Sequence, residues 1–262
     1  MNWGVKDAKG KFNDRNKMNG SAERLPGLDG ELDFASKEAF NRLRTNLMLS
    51  FTDSSKARII GVSSSVRGEG KSFVSCCIAH SLSETGNKVL LLEGDLRLPT
   101  VAKKLNIKKA PGLSNILTGS INDVVDALQQ RAYGKLDVIT SGDIPPNPSE
   151  LLGSQRMKSL IGILSENYDY IVFDLPPVTS VPDPLIVTQL ISGIVLVVRH
   201  EYTDKKAVEE TIRQLKIANA KVLGFVYNGN DGSGGSYSKK YYKKRKYSKY
   251  YSEDYSSGNK KK

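Results

Sequence analysis

A β-branched run, Arg58–Ser63, leads into Ser65-Val66-Arg67-Gly68-Glu69-Gly70-Lys71-Ser72, and a segment with helical character follows. A strand, a glycine turn and a helix opening on Lys-Ser constrain the fold more than any other stretch of the chain. Glycines let backbone N–H groups converge on phosphate oxygens, and the helix start adds partial positive charge. In such a loop the Lys71 ammonium neutralises β- and γ-phosphates, and the Ser72 hydroxyl ligates Mg2+. Ser65 stands where the pattern G-x-x-x-x-G-K-[ST] has its first glycine, so the motif is incomplete.

Two later segments add to the argument. Val89-Leu90-Leu91-Leu92-Glu93-Gly94-Asp95 and Tyr170-Ile171-Val172-Phe173-Asp174 each end an apolar strand on carboxylates. Parallel α/β sheets bind ligands beyond the C-terminal ends of their strands. Asp95 and Asp174, with Ser72, are therefore candidates to hold Mg2+ or its waters. Glu93 is the candidate acceptor of a proton from an attacking hydroxyl. The plainer reading of each carboxylate is a helix cap or a solvated turn residue.

Strands are expected at Arg58–Ser63, Lys88–Glu93, Leu136–Thr140, Tyr170–Asp174, Ile194–Arg199 and Val222–Tyr227. Helices are expected at Lys37–Ser50, Gly70–Glu84, Ile121–Gln129, Ser154–Ser165, Asp183–Gln189 and Asp204–Asn219. Short β-branched runs separated by helices imply an α/β fold, a mostly parallel sheet with helices on both faces. Together with the loop this is a P-loop NTPase. Residues 1–31 read as a flexible polar segment, 32–230 as the catalytic domain, and 231–262 as a disordered tail. No run approaches the ~20 apolar residues of a membrane span, and no signal-peptide core opens the chain, so a cytoplasmic protein is expected. Cys76 and Cys77 are adjacent on a helix, a spacing that suits buried apolar residues better than a metal site or a disulfide.

The tail is unusual. Seven of the twelve tyrosines lie there: Tyr237, Tyr241, Tyr242, Tyr247, Tyr250, Tyr251 and Tyr255. From Asp231 onward ten Lys/Arg face three Asp/Glu, so +7 of the net +11 is in the tail. By itself such a tail is a solvated extension. Downstream of a nucleotide site it reads as a row of phosphoacceptors, each phosphate adding about −1.5 to −2 charge. The unmodified tail could sit on an anionic membrane surface, at about 1 kcal/mol per Lys/Arg near it. Nucleic acid is a less favoured partner for the same charges.

These residues resemble the bacterial tyrosine kinases of capsule and exopolysaccharide synthesis. The resemblance is carried by Ser64 to Ser72, Leu91 to Arg97 and Ile171 to Pro177. It extends to Gly112-Leu113-Ser114 and to the specific stretch Ser141-Gly142-Asp143-Ile144-Pro145-Pro146-Asn147-Pro148-Ser149-Glu150-Leu151-Leu152. It covers about Glu38 to Asn228. It implies an ATP- and Mg2+-dependent protein-tyrosine kinase that phosphorylates its own tail, with Lys71, Glu93, Asp95 and Asp174 as catalytic residues. Gly68, Glu69, Gly70, Lys71, Ser72, Phe73, Arg199 and Asn228 would contact nucleotide. Asn228 would read the adenine edge, with a plain turn residue as the alternative. The implied partners are the cytoplasmic tail of a separate membrane adaptor of the polysaccharide co-polymerase type, a protein-tyrosine phosphatase, and further copies of the chain in a ring. The protein would lie against the inner face of the plasma membrane through that adaptor. The family's Glu-x-x-Arg-x-x-Arg oligomer motif corresponds to Glu38, Asn41 and Arg44, with Arg42 beside the replaced arginine.

Two further departures stand out. Arg67 replaces the family's proline before Gly-Glu-Gly, and Glu93 replaces an aspartate. A misplacement of about 1 Å can cost ~10²-fold in rate, so weak activity is an open reading. The rivals are an ATP-binding scaffold and a partitioning-type switch ATPase. The latter carries a lysine five residues before the loop lysine, where this chain has Val66. Spacing does not rank the seven tail tyrosines.

Overall fold

In the computed structural model, residues 32–51, 57–133 and 135–229 are described. The elements, in order, are helix α1 (Phe34–Leu49), strand β1 (Arg58–Ser64), α2 (Lys71–Glu84), β2 (Val89–Glu93), α3 (Val101–Leu105), α4 (Leu113–Thr118) and α5 (Val124–Ala127). There follow β3 (Leu128–Tyr133), β4 (Leu136–Ile139), α6 (Pro148–Leu152), α7 (Gln155–Ser165), β5 (Tyr170–Asp174) and α8 (Asp183–Ile186). A 3-10 turn (Val187–Leu190), β6 (Gly193–Arg199), α9 (Lys205–Ile217) and β7 (Val222–Asn228) complete the domain.

Among the described residues, seven strands form one sheet in the order β3-β4-β2-β5-β1-β6-β7. All neighbours are parallel except β3, which runs antiparallel to β4. The expected mostly parallel P-loop sheet is what the chain forms. Alternation explains why its strands read as continuous apolar runs. Leu90, Leu92, Ile171 and Phe173 join the core on the α4–α7 face. Leu91, Val89, Val172 and Tyr170 join the core under α1, α2 and α3. A strand buried on both faces has no polar side to show. Cys76 and Cys77 are buried in α2, in that second core.

The expected helix Ile121–Gln129 forms only over Val124–Ala127. From Leu128 the chain becomes an edge strand whose Leu128 pairs with Ile139 and whose Gln129 pairs with Val138. Tertiary pairing overrides a helical pattern over Ile121–Gln129, which is too short to hold by itself. Among the described residues, no helix is long and apolar enough to cross a membrane.

Candidate active site

β1, β2 and β5 are consecutive neighbours through β5, so their C-terminal ends converge. Glu93 and Asp174 are direct register partners. The loop after β1 and the helix α2 lie over this point.

Gly68 and Gly70 adopt positive φ, +83° and +91°. A Cβ on Gly70 would stand 2.2 Å from Asn228 Nδ2. The loop is held from behind. Glu69, fully buried, accepts from the Val66 N–H at 2.7 Å and from the Thr203 hydroxyl. Asn228 Nδ2 donates to the Glu69 carbonyl at 2.9 Å, and Arg199 Nη1 donates to the Gly68 carbonyl at 2.9 Å. Expected to contact nucleotide, the side chains of Glu69, Arg199 and Asn228 are here occupied in shaping the loop.

Lys71 Nζ lies 2.8 Å from Asp95 Oδ2 and 4.0 Å from Asp174 Oδ2. It is also 3.3 Å from Ser72 Oγ. Burial opposes the charge on Lys71, but Asp174 and Asp95 outweigh it and hold its pKa above the ordinary lysine value. Asp174 is fully buried; Oδ1 accepts from Ser75 Oγ at 2.9 Å and Oδ2 has no hydrogen-bond partner among the described residues. Burial pushes its pKa up, against the pull of Lys71. A buried carboxylate oxygen without a partner is costly. It fits a site that takes a metal-bound water or a cation. Ser75, which the sequence reading missed, is one turn beyond Lys71, and its single hydroxyl proton is shared between Asp174 Oδ1 and the Lys71 carbonyl, each 2.9 Å away. The spacing i, i+4 from the loop lysine is the signal that finds it.

Glu93 is held by backbone around it. It is fully buried. Oε1 accepts from the backbone N–H groups of Thr100 and Val101 at 2.6 and 2.7 Å. Oε2 accepts from Ser141 N–H at 3.0 Å. Burial raises its pKa, and these N–H groups pull it back. The extra methylene relative to aspartate carries the carboxylate onto the start of α3, where it acts as a cap. Each oxygen of Glu93 thus accepts from at least one backbone N–H, and a proton-accepting role would draw on the lone pairs those bonds leave.

Asp95, by contrast, lines the crevice, a cavity of about 360 Å3 between the loop, the end of β2 and Pro176-Pro177. Phe73 and Ser72 line it as well. Arg97 pairs with the buried Asp183, Nε to Oδ2 at 2.9 Å and Nη2 to Oδ1 at 3.1 Å. Ser149 Oγ joins at 2.6 Å from Asp183 Oδ1. Arg97 thus ties the end of β2 to α6 and α8. Its side chain also lines the crevice.

The oligomer candidates sit on α1. Glu38 accepts from Asn41 Nδ2 at 3.0 Å. Arg44 Nη1 donates to the Ser81 carbonyl at 2.9 Å and lies 3.9 Å from Glu84, which turns it toward α2 of its own chain. Arg42 is exposed. The seven tail tyrosines lie outside the described residues.

The family model for ParA, described as NUBPL iron-transfer P-loop NTPase, matches residues 55–250. Tyrosine-protein kinase YwqD of Bacillus subtilis is 34% identical over 194 residues, covering 74% of this chain and 81% of its own. Tyrosine-protein kinase CpsD of Streptococcus agalactiae is 32% identical over 217 residues, covering 82% of this chain and 93% of its own. Tyrosine-protein kinase ptk of Acinetobacter johnsonii is 32% identical, but the match spans 27% of its length. Among solved structures, the kinase domain of Escherichia coli tyrosine kinase ETK superposes with TM-score 0.73 at 28% identity, covering 83% of this chain and 84% of its own. The chimerical protein CapA2B2 superposes with TM-score 0.72 at 31% identity, covering 80% and 93%. A glycine loop at a helix start, with buried Lys and Asp partners, makes this a nucleotide-binding site.

Proposed function

The chain belongs to the bacterial tyrosine-protein kinases and carries a ParA-type P-loop domain, and on that premise we propose that it transfers the γ-phosphoryl group of ATP to tyrosines of its own C-terminal segment. Its place would be in capsule or exopolysaccharide synthesis. The observation that carries the reading is Lys71 and Asp95 lining one crevice, with the buried Asp174 Oδ2 4.0 Å behind Lys71 Nζ and without a hydrogen bond among the described residues.

In this reading the loop N–H groups and Lys71 bind the β- and γ-phosphates. Ser72, Asp95 and Asp174 would hold Mg2+ or its waters. Bound Mg2+ would supply charge neutralisation across the phosphates. The tyrosine oxygen bonds to the γ-phosphorus, the bond to the β–γ bridging oxygen breaks with its electron pair going to ADP, and the phenolic proton passes to Asp95. Phosphoryl transfer is loose, so positioning and electrostatics matter more than a strong base. Glu93 positions α3 and Ser141 around the site.

A membrane adaptor's cytoplasmic segment, a phosphatase that resets the tail, and assembly through α1 remain part of the proposal. The likeness to capsule-type kinases supports the adaptor. The inward-turned Arg44 and the Glu38–Asn41 bond make α1 a weaker ring contact than the unaltered motif. An iron-transfer role, suggested by the family model's description, finds no support in two adjacent cysteines buried within α2. Val66 at the partitioning-type lysine position weighs against a switch ATPase.

The test is mass spectrometry of the full chain after incubation with Mg-ATP, with Lys71→Met as control. Phosphate on the tail tyrosines that vanishes in the variant supports the kinase. Nucleotide binding without phosphotyrosine, adaptor segment included, favours the scaffold.

A further inference from the structure

Resting on the kinase reading above, we propose that Arg67 and Lys104 form an acceptor-side cation pair that selects Tyr255 over the other tail tyrosines by reading the acids that precede it. Four cationic side chains line the crevice: Arg67, Lys71, Arg97 and Lys104. Two are neutralised, Lys71 by Asp95 and Arg97 by Asp183. Asp95 is the one carboxylate among the lining residues. Arg67 and Lys104 are exposed, and among the described residues neither has an ion pair or a side-chain hydrogen bond. They come from different walls. Arg67 is at the apex of the phosphate loop. Lys104 is on α3, whose first N–H groups are held by Glu93. The mouth of the crevice therefore carries uncompensated positive charge on two sides.

The tail sequence presents that mouth with a sharp contrast. Six of the seven tyrosines have a Lys or Arg within two residues: Tyr237, Tyr241, Tyr242, Tyr247, Tyr250 and Tyr251. Tyr255 has none, and Glu253-Asp254 precede it directly. A lysine-flanked tyrosine must bring positive charge against Arg67 and Lys104. The acid pair before Tyr255 brings the opposite sign. Like-charge approach is disfavoured and opposite-charge approach favoured, most strongly at low ionic strength. Nothing in the tail's spacing ranks the tyrosines; the charge at the crevice does. The substrate class is thus a tyrosine preceded by acidic residues.

The experiment has two parts. In the full chain with Mg-ATP, time-resolved mass spectrometry reads the order of tail phosphorylation. Tyr255 is expected first, by about tenfold in initial rate over Tyr247, an order set by a few screened charge pairs. Glu253→Lys with Asp254→Lys, which leaves the folded domain untouched, should erase that lead. Independently of catalysis, fluorescence anisotropy with a non-hydrolysable ATP analogue compares labelled peptides 252–259 and 244–249. The first should bind several-fold tighter to the wild-type chain, and Arg67→Glu with Lys104→Glu should reverse the order. A fluorescent-nucleotide titration of Lys104→Ala reads the rival use of this lysine, and its affinity should stay within about twofold of wild type. Equal peptide binding, a lead of Tyr255 that survives the double charge reversal, or a large loss of nucleotide affinity in Lys104→Ala overturns the proposal. Selective peptide binding in a chain that forms no phosphotyrosine would instead sink the kinase reading and leave the acceptor site standing.

Discussion

Lys71 and Asp95 form a 2.8 Å ion pair across the gap between the phosphate loop and the end of β2. The ammonium that the phosphates need is therefore already bound to a carboxylate. Incoming nucleotide must take Lys71 from Asp95, and the released carboxylate is then available to a metal-bound water or a phenolic proton. Asp95→Asn should raise affinity for nucleotide in the absence of Mg2+ by about tenfold or more, the low end of what one charged hydrogen bond contributes. It should lower phosphoryl transfer by about 10²-fold or more. Titration with a fluorescent nucleotide in EDTA and in Mg2+, beside a phosphotyrosine assay, separates the two effects.

Glu93 offers a second test because cap and base predict opposite results. Glu93→Gln keeps the shape, but its amide group cannot accept from both the Thr100/Val101 side and Ser141. One buried donor is left unmatched, which costs about 1–3 kcal/mol. Chemical denaturation should show that loss, while kcat at saturating ATP stays within a few-fold of wild type. A 10³-fold fall in kcat with unchanged stability would return the proton-accepting role to Glu93.

The pH behaviour follows from Asp174. Burial lifts its folded pKa above the ordinary carboxylate value. Between the unfolded value and that raised value the folded protein holds a proton the unfolded chain has released. Asp174 therefore favours the fold toward acid, and that contribution is lost as pH rises through the raised pKa. Metal-dependent nucleotide binding needs the charged form, so it should fade on acidification at a higher pH than an exposed aspartate would dictate. Thermal melts of the nucleotide-free chain from pH 4 to 8 should show Asp174→Asn gaining on wild type as pH rises. A wild-type curve parallel to that of Asp174→Asn would contradict the raised pKa.

Arg97 and the fully buried Asp183 predict a stability effect remote from nucleotide. Removing one member of a buried pair strands the other, at about 3–5 kcal/mol when both are buried. The Arg97 side chain is 37% exposed, so solvent screens part of this and about 2 kcal/mol is expected for Arg97→Ala. Arg97→Lys should recover little, because the contact uses both Nε and Nη2. A double-mutant cycle with Asp183→Ala measures the coupling.

The sheet was legible because its strands are buried on both faces and read as unbroken apolar runs, with Tyr170–Asp174 matching the expected bounds. The site's Lys71, Asp95 and Asp174 were legible because phosphate chemistry fixes their type and spacing. The capping bonds of Glu93 were not legible, because sequence position places it at the strand end but says nothing of which N–H groups surround it. Those come from Thr100, Val101 and Ser141, the last 48 residues away. Asn228 and Arg199 were placed near the nucleotide; their loop-bracing bonds depend on β6 lying beside β1 and β7 beside β6, pairings no local pattern reveals. Ser75 was hidden in a run of small helix residues.

Gly70 closes the argument between loop shape and binding. Its φ of +91° lies where an L side chain is strained, and its missing Cβ would stand 2.2 Å from Asn228 Nδ2. Gly70→Ala carries both penalties. Backbone strain of this kind costs about 1–2 kcal/mol, and Asn228 must leave the Glu69 carbonyl it now serves at 2.9 Å. The N–H groups that would meet phosphate are built from the same turn, so affinity for nucleotide should fall by more than tenfold while the sheet stays folded. Asn228→Ala alone should weaken nucleotide binding less, since the loop keeps Glu69 and Arg199 as braces. The double variant separates clash from strain. If Gly70→Ala with Asn228→Ala binds nucleotide about as well as Asn228→Ala, the clash dominates; if it stays as weak as Gly70→Ala, the positive φ does. Circular dichroism beside the nucleotide titration checks that the loss is local.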